Sequence, residues 1–262
     1  MAGNWEFTDT DEAHANGLRA LLPRRLFDAH AHVYTIPDEW DGEGLLADGP
    51  REATPEVWRE HVGRVLGPHE LVGALLMPFP GLGHVVSANA CLAEWLQREP
   101  VCRGLMLAPP DLPHEHVEEM LESSRIVGFK PYHFYSPSTP TFDAPLSHWL
   151  AERFWRIADE RGLVITIHLV RPGALADPAN LDELLTMCRR YPNAQVVLAH
   201  AARGFHAPNT VEAVGKLRGL HNVWFDSAAV CEAEALLAIL DEFGPRRLLW
   251  GTDFPVSEGR GR

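Results

Sequence analysis

Five residues carry the chemistry legible in this chain. They are the pair His30 and His32 in the run FDAHAH, then His168, His200 and Asp253, each at the end of a separable apolar run. A mononuclear metal hydrolase needs such a set, with imidazoles to hold the ion and a carboxylate that both ligates it and moves a proton. The HAH element alone says little, because a chain with 14 histidines will place two of them one residue apart by chance. The ordered set, with every member where a strand should end, says much more.

To gather these groups, several strands must end at one face, and the sequence supplies eight runs of strand length. They are RRLFDAHAHV, LVGALLMPF, VCRGLMLA, IVGFKPYHF, LVITIHLV, AQVVLAHA, NVWFDSA and RRLLWGTDFP. Helical spacing and capping signals predict helices over 57–66, 87–98, 114–123, 146–161, 180–191, 209–219 and 232–243 between them. A further short helix over 9–22 is ended by Pro23. Runs that are apolar on both faces and joined by helices demand parallel strands covered on both sides. Eight of them point to a (β/α)8 barrel, in which chemistry sits at the C-terminal strand ends. His30 and His32 differ by two positions, so both side chains take the same face of their strand. An open dinucleotide-binding sheet would want a glycine-rich turn after the first strand, and FDAHAHVY has none.

Composition agrees with one large soluble domain. The 262 residues are 46% apolar and 23% charged, enough for a barrel core. We read 1–23 as an N-terminal extension and 24–262 as the barrel, with an insertion at about 35–56 that forms a lid or pocket wall. The net charge of -13 argues against general nucleic-acid binding. The acidic N-terminus has no apolar signal core, and no stretch approaches 18 apolar residues, so neither secretion nor a membrane span is expected. Cys91, Cys102, Cys188 and Cys231 show no CxxC pattern and read as reduced packing residues of a cytoplasmic protein. The expected partner is a small-molecule substrate.

The pieces DAHAH, GFKPY, ITIHL, VVLAHA and LLWGTDFP, on the first, fourth, fifth, sixth and eighth runs, resemble the amidohydrolase superfamily. The similarity is to its amidohydrolase-2 branch, which includes aminocarboxymuconate-semialdehyde decarboxylase and related aromatic-acid decarboxylases. The pieces span residues 28 to 255. The resemblance implies that His30, His32 and His168 bind a divalent metal, with Asp253 as ligand and proton acceptor. It implies His200 as the acid/base or charge stabiliser beside the ion. Zinc suits a site rich in imidazole, while iron, manganese and cobalt also fit. Taken singly, His168 reads more readily as a satisfied strand-end residue, and Asp253 equally as a turn cap before Pro255. Their joint order favours the metal site.

Other residues are candidates for substrate contact. Lys130, in the fourth run, is either a charged lysine that binds substrate or a carboxylated bridge between two ions, as in two-metal relatives. Arg171 and Arg203 follow the fifth and sixth runs and are candidates to hold a substrate carboxylate, with surface ion pairing the alternative. His133 and Tyr135, and more weakly His206, Trp40 and Asp226, are further candidates for the pocket. The reaction expected is hydrolysis of an amide, ester or lactone. The same residues equally suit a decarboxylase of an aromatic or muconate-type acid, and a non-catalytic metal-binding barrel is the third reading. Only nine residues follow Asp253, which is short for an eighth helix. Exposed apolar surface is therefore expected beside the first and last strands, covered by the N-terminal helix or, in a homodimer, by a neighbouring subunit.

Overall fold

The computed structural model describes residues 7–40, 46–47, 49–123 and 125–261. It opens on α1 (Asp9–Arg19), whose N-cap Thr8 exchanges hydrogen bonds with Asp11 in a capping box. The first strand, β1 (Arg25–Thr35), is paired at its far end with the antiparallel β2 (Glu52–Ala53). A regular alternation follows, with α2 (Pro55–Leu66), β3 (Glu70–Pro78), α3 (Val85–Arg98), β4 (Arg103–Leu107), α4 (His114–Ser123) and β5 (Ile126–Lys130). It continues through α5 (Glu152–Arg161), β6 (Val164–Ile167), α6 (Pro178–Arg190) and β7 (Gln195–Leu198). The last third holds α7 (Ala199–Arg203), α8 (Ala207–Val211), β8 (Val223–Asp226), α9 (Ala233–Phe243), β9 (Leu248–Leu249) and α10 (Val256–Gly261).

Leaving β2 aside, each strand runs parallel to the next in the order β1-β3-β4-β5-β6-β7-β8-β9. The ends meet. The segment after β9 returns to β1 through Ala29 N to Trp250 O at 2.9 Å and Asp253 N to His30 O at 2.8 Å, with Ala31 bridged to Phe254. Eight parallel strands and a helical outer layer make this a (β/α)8 barrel. Its interior and interlayer core are built from large side chains such as Trp58, Phe129, Phe154, Trp155 and Phe225. Gly128 shows how tightly neighbouring strands pack, since a Cβ there would lie 1.9 Å from Val164 O.

Two predicted helices are shorter than their spacing suggests. The helix expected over 146–161 starts only at Glu152, and Leu146–His148 is a single 3-10 turn. The Glu183 carboxylate accepts the Leu146 and Ser147 N–H groups, while Trp149 and Leu150 turn into the core. Burial of those two side chains overrides helical continuity. The helix expected over 209–219 is α8 followed by a 3-10 turn at Val214–Leu217. In the 35–56 insertion, residues 41–45 and 48 lie outside the described residues, and β2 ties the described remainder to β1.

Beside β9 the outer layer is thin. Leu248 and Leu249 are only half-buried, and Leu237 is 55% exposed. A groove of about 220 Å³ runs there between Val62, Val65 and Leu66 of α2 and Trp250 and Phe254. The α1 helix does not fill it. Arg19 instead anchors α1 to the end of α2 through the Arg64 and Val65 carbonyls. No helix among the described residues is long and apolar enough to cross a membrane.

Candidate metal centre and substrate pocket

The barrel brings the five residues singled out in the sequence to one mouth. His30 and His32 project from β1, His168 follows β6, His200 follows β7, and Asp253 lies on the segment that closes β9 onto β1. Asp253 Oδ1 is 3.4 Å from His32 Nε2 and 3.6 Å from His30 Nε2. His168 Nε2 is 2.8 Å from His200 Nε2. Two overlapping sets, His30–His168–His200 and His30–His32–Asp253, each bring their ligand atoms within 4.8 Å of one another.

The orientation of the rings is fixed from behind. His30 Nδ1 lies 2.9 Å from Asp226 Oδ2, and both side chains are fully buried. A carboxylate can only accept, so Nδ1 carries the proton and the Nε2 lone pair faces the cluster. His200 Nδ1 lies 2.9 Å from the Ala228 carbonyl, which turns its Nε2 inward by the same logic. The other oxygen of Asp226 accepts from His200 N at 2.8 Å. One carboxylate thus sets two histidines. Burial and, after it, the nearby Lys130 push His30 down to about 4, so its imidazole stays neutral at ordinary pH. Burial would raise the Asp253 carboxyl, yet the His200, His32 and His30 rings hold it below the usual carboxylate range.

Backbone strain gathers at the same mouth. His200, Ala201, Ala202 and Arg203 all have φ between 52° and 62°, a left-handed turn without a glycine. Left-handed geometry costs such residues about 1–2 kcal/mol each, so the surroundings must enforce it. Asp226 does so at His200 N, and buried Thr210 does so by donating to Ala201 O at 2.7 Å. The turn delivers His200 to the cluster and Arg203 to the pocket. Asp253 is also left-handed, with φ 56°.

A second buried carboxylate holds the closure. Asp28 accepts from Trp58 Nε1 at 2.9 Å, Thr252 Oγ1 at 2.6 Å, Thr252 N at 3.0 Å and His30 N at 3.1 Å. It therefore ties the residue before Asp253 to the backbone of His30. Burial raises its carboxyl to about 6 against the lowering effect of those bonds.

The cavity above the histidines has a volume of about 200 Å³. Its floor is His32, His168, His200 and Asp253, and its walls include Phe79, Tyr132, Phe134, Phe142, Phe205 and Arg203. Arg203 donates to Val170 O and stands 5.5 Å from the Phe142 ring centre. His133 also lines the wall, with Nδ1 2.8 Å from Thr141 Oγ1. Lys130 is not among the residues that line this cavity. It is fully buried, with Nζ 3.4 Å from both His30 Nε2 and His168 Nε2, and burial lowers it to about 8. Arg171 points elsewhere, to Asp177 at 3.1 Å and the Asp143 carbonyl at 3.0 Å. Tyr135, His206 and Trp40 are not part of the cavity lining.

Asp226, only a weaker candidate for the pocket in the sequence, sits behind the cluster rather than in the cavity lining. The signal was nevertheless there, as a carboxylate closing the apolar run NVWF. Asp28 and Thr252 were missed as a pair because their partnership spans the chain ends.

The donor set fits a divalent metal. Two ligands held about 2.0–2.1 Å from a tetrahedral ion lie roughly 3.4 Å apart, close to the 3.4 Å and 3.6 Å separations around Asp253. The fixed tautomers of His30 and His200 turn their Nε2 lone pairs to the same volume, where Lys130 Nζ and His168 Nε2 also converge.

The sequence matches the protein family described as Amidohydrolase over residues 27–262. An L-fucono-1,5-lactonase of Burkholderia ambifaria is 34% identical over 99 residues, which is 32% of this chain and 34% of that protein. The match thus spans only about a third of that curated relative. Among solved structures, a probable 2-pyrone-4,6-dicarboxylic acid hydrolase of Acinetobacter baumannii superposes with a TM-score of 0.63 at 18% identity, covering 90% of this chain and 86% of the other. An amidohydrolase of Burkholderia multivorans with bound zinc gives 0.63 at 18% identity, with coverages of 89% and 86%. A 2,6-dihydroxybenzoate decarboxylase from Rhizobium gives 0.59 at 13%, with coverages of 91% and 92%.

Proposed function

Because this chain belongs to the amidohydrolase family, we propose that it is a metal-dependent hydrolase of an ester, lactone or amide bond in a small carboxylated substrate. The metal would be one divalent ion, with zinc favoured by the imidazole-rich donors. His30, His32, His168 and Asp253 would hold it. When bound, such an ion lowers the pKa of water towards neutrality and polarises a carbonyl.

The chain's own residues supply the rest. Asp253 Oδ1 faces the His30 and His32 rings and, kept ionised, accepts the proton of the attacking water. His200, with Nδ1 committed to Ala228 O, keeps Nε2 for the reacting oxygen or the leaving group. Arg203 offers a guanidinium to the substrate carboxylate from the cavity wall. The aromatic side chains around it exclude water and strengthen every charge interaction inside. Lys130, buried beside His30 and His168, holds its charge next to the cluster. Against a net charge of -13, Arg203 supplies a local attraction for an anion.

One observation carries this reading. The His30–Asp226 pair, both side chains fully buried, fixes a lone pair on the same volume that Asp253 faces. The lactonase match and the fold shared with a pyrone dicarboxylate hydrolase favour hydrolysis. A second reading, decarboxylation of an aromatic acid, draws on the four phenylalanines of the wall and the fold shared with a dihydroxybenzoate decarboxylase.

Zinc-loaded protein separates them when assayed on a panel of carboxylated lactones and esters and a panel of hydroxybenzoates. The proposal expects one proton released per turnover in the first panel, read by pH-stat, and no carbon dioxide from the second. Carbon dioxide release alone would move the enzyme to the decarboxylases. Inertness in both panels would leave a non-catalytic metal-binding barrel.

A further inference from the structure

A second cavity, as large as the one above the histidines at about 200 Å³, lies between the ends of β1 and β3 and the helix α3. The two share a wall, Phe79, whose ring stands edge-on to His32 at 5.6 Å and to Tyr34 at 6.1 Å. The chamber behind Phe79 is faced by Tyr34 and Val33 of β1, by Leu82, and by Ala88, Cys91 and Trp95 at helical spacing on α3. Among the described residues that line it there is no carboxylate, lysine or arginine, and its polar members are Tyr34, Thr35, His84 and Ser87. The Tyr34 phenol and the Cys91 thiol are both pushed up by burial, so they stay neutral. An apolar cavity of about 150 Å³ is enough for benzene.

The strand order relates this chamber to Arg203. In β1-β3-β4-β5-β6-β7-β8-β9, the strand that leads into Phe79 is second and the strand that leads into Arg203 is sixth. In a closed eight-stranded barrel those positions are diametrically opposed. The histidine and aspartate cluster lies between them. Phe79 itself precedes Gly81 and Gly83, whose φ angles of 83° and 136° few other residues adopt and whose missing Cβ atoms would meet nothing within 4 Å. Phe79 is thus followed by a glycine-bearing turn that only the absence of side chains allows.

We propose that the chamber behind Phe79 is a second substrate subsite, which takes an uncharged, apolar group up to about the size of a benzyl ring. The substrate then spans the mouth, with its carboxylate at Arg203, its reacting carbonyl over the histidines and its apolar end against Trp95 and Tyr34. This orientation rests on the hydrolase reading given above, whereas the chamber's affinity for an apolar group does not.

Two measurements separate the two. Binding of benzyl alcohol to the whole protein, followed by ligand-observed NMR, tests the chamber alone. Ala88→Leu, which fills it, should weaken binding at least tenfold, whereas Arg203→Ala should leave it within twofold. Leu82→Ala, which enlarges the chamber, should instead extend binding to 2-naphthylmethanol. Loss of thermal stability in one variant therefore leaves the other as the test. In turnover, benzyl esters of small dicarboxylic acids should show a lower KM than methyl esters, and Ala88→Leu should raise the benzyl KM more than the methyl KM. Benzyl alcohol binding that neither variant alters would overturn the subsite. Altered binding in a protein that hydrolyses no ester would keep the subsite and remove the hydrolase reading.

Discussion

Asp226 Oδ2 lies 2.9 Å from His30 Nδ1, although the two residues are 196 positions apart, and neither side chain is exposed. The contact joins the first barrel strand to the seventh, past the short closing strand β9. Because the other Asp226 oxygen accepts from His200 N, a single buried carboxylate orients two of the five cluster residues. Buried carboxylates behind a ligating imidazole set its tautomer and raise its basicity.

Asp226→Asn tests that role. The amide keeps the volume but can meet His30 Nδ1 through its carbonyl only if the amide nitrogen then faces the His200 N–H. Zinc affinity should fall roughly 10- to 100-fold, the usual effect of losing such a partner. Competition with a fluorescent chelator measures it. Undiminished affinity in a folded variant would show that His30 is not held through Asp226.

Arg203→Ala tests the carboxylate clamp. Hydrogen bonds to a charged group contribute about 1.5–3 kcal/mol, so KM for a carboxylated substrate should rise roughly 10- to 100-fold. The rise should be absent for the uncharged methyl ester of the same compound. Equal effects on both substrates would mean that Arg203 acts through the Val170 carbonyl and the shape of the turn.

His133 makes stability depend on pH. Burial and, next, Arg203 lower it from an ordinary value of 6.5 to about 4. Between those values the unfolded chain binds more protons than the folded one, so stability rises with pH across the window. The contribution is complete above about 6.5 and is lost as pH falls towards 4. His30, also lowered to about 4, acts with the same sign. His133→Gln should therefore flatten, without abolishing, the rise in Tm of metal-free protein between pH 4.5 and 7. An unchanged slope would place His133 in solvent.

Much of this was legible in the sequence because barrel strands repeat one physical signal. Each run is apolar on both faces, and the residue that follows it reaches the mouth. His30, His32, His168, His200 and Asp253 could be read that way, and so could Arg203. What escaped were relationships between distant segments. Nothing local shows that Asp28 binds Thr252, because barrel closure alone brings them together. Arg171 and Arg203 looked equivalent, each a few residues past a histidine. They part because the left-handed turn at 200–203 aims Arg203 inward, while Asp177, the N-cap of α6, draws Arg171 outward. The helix expected from 146 failed for a similar reason, since Trp149 and Leu150 are claimed by the core.

The central claim is that His30 and Asp253 belong to one metal-binding site, and zinc titration of the metal-free protein by isothermal calorimetry tests it most directly. We predict one tight site per chain in the wild type, and at least a 100-fold loss of affinity in both His30→Ala and Asp253→Ala. One tight site of unchanged affinity in both variants would contradict it.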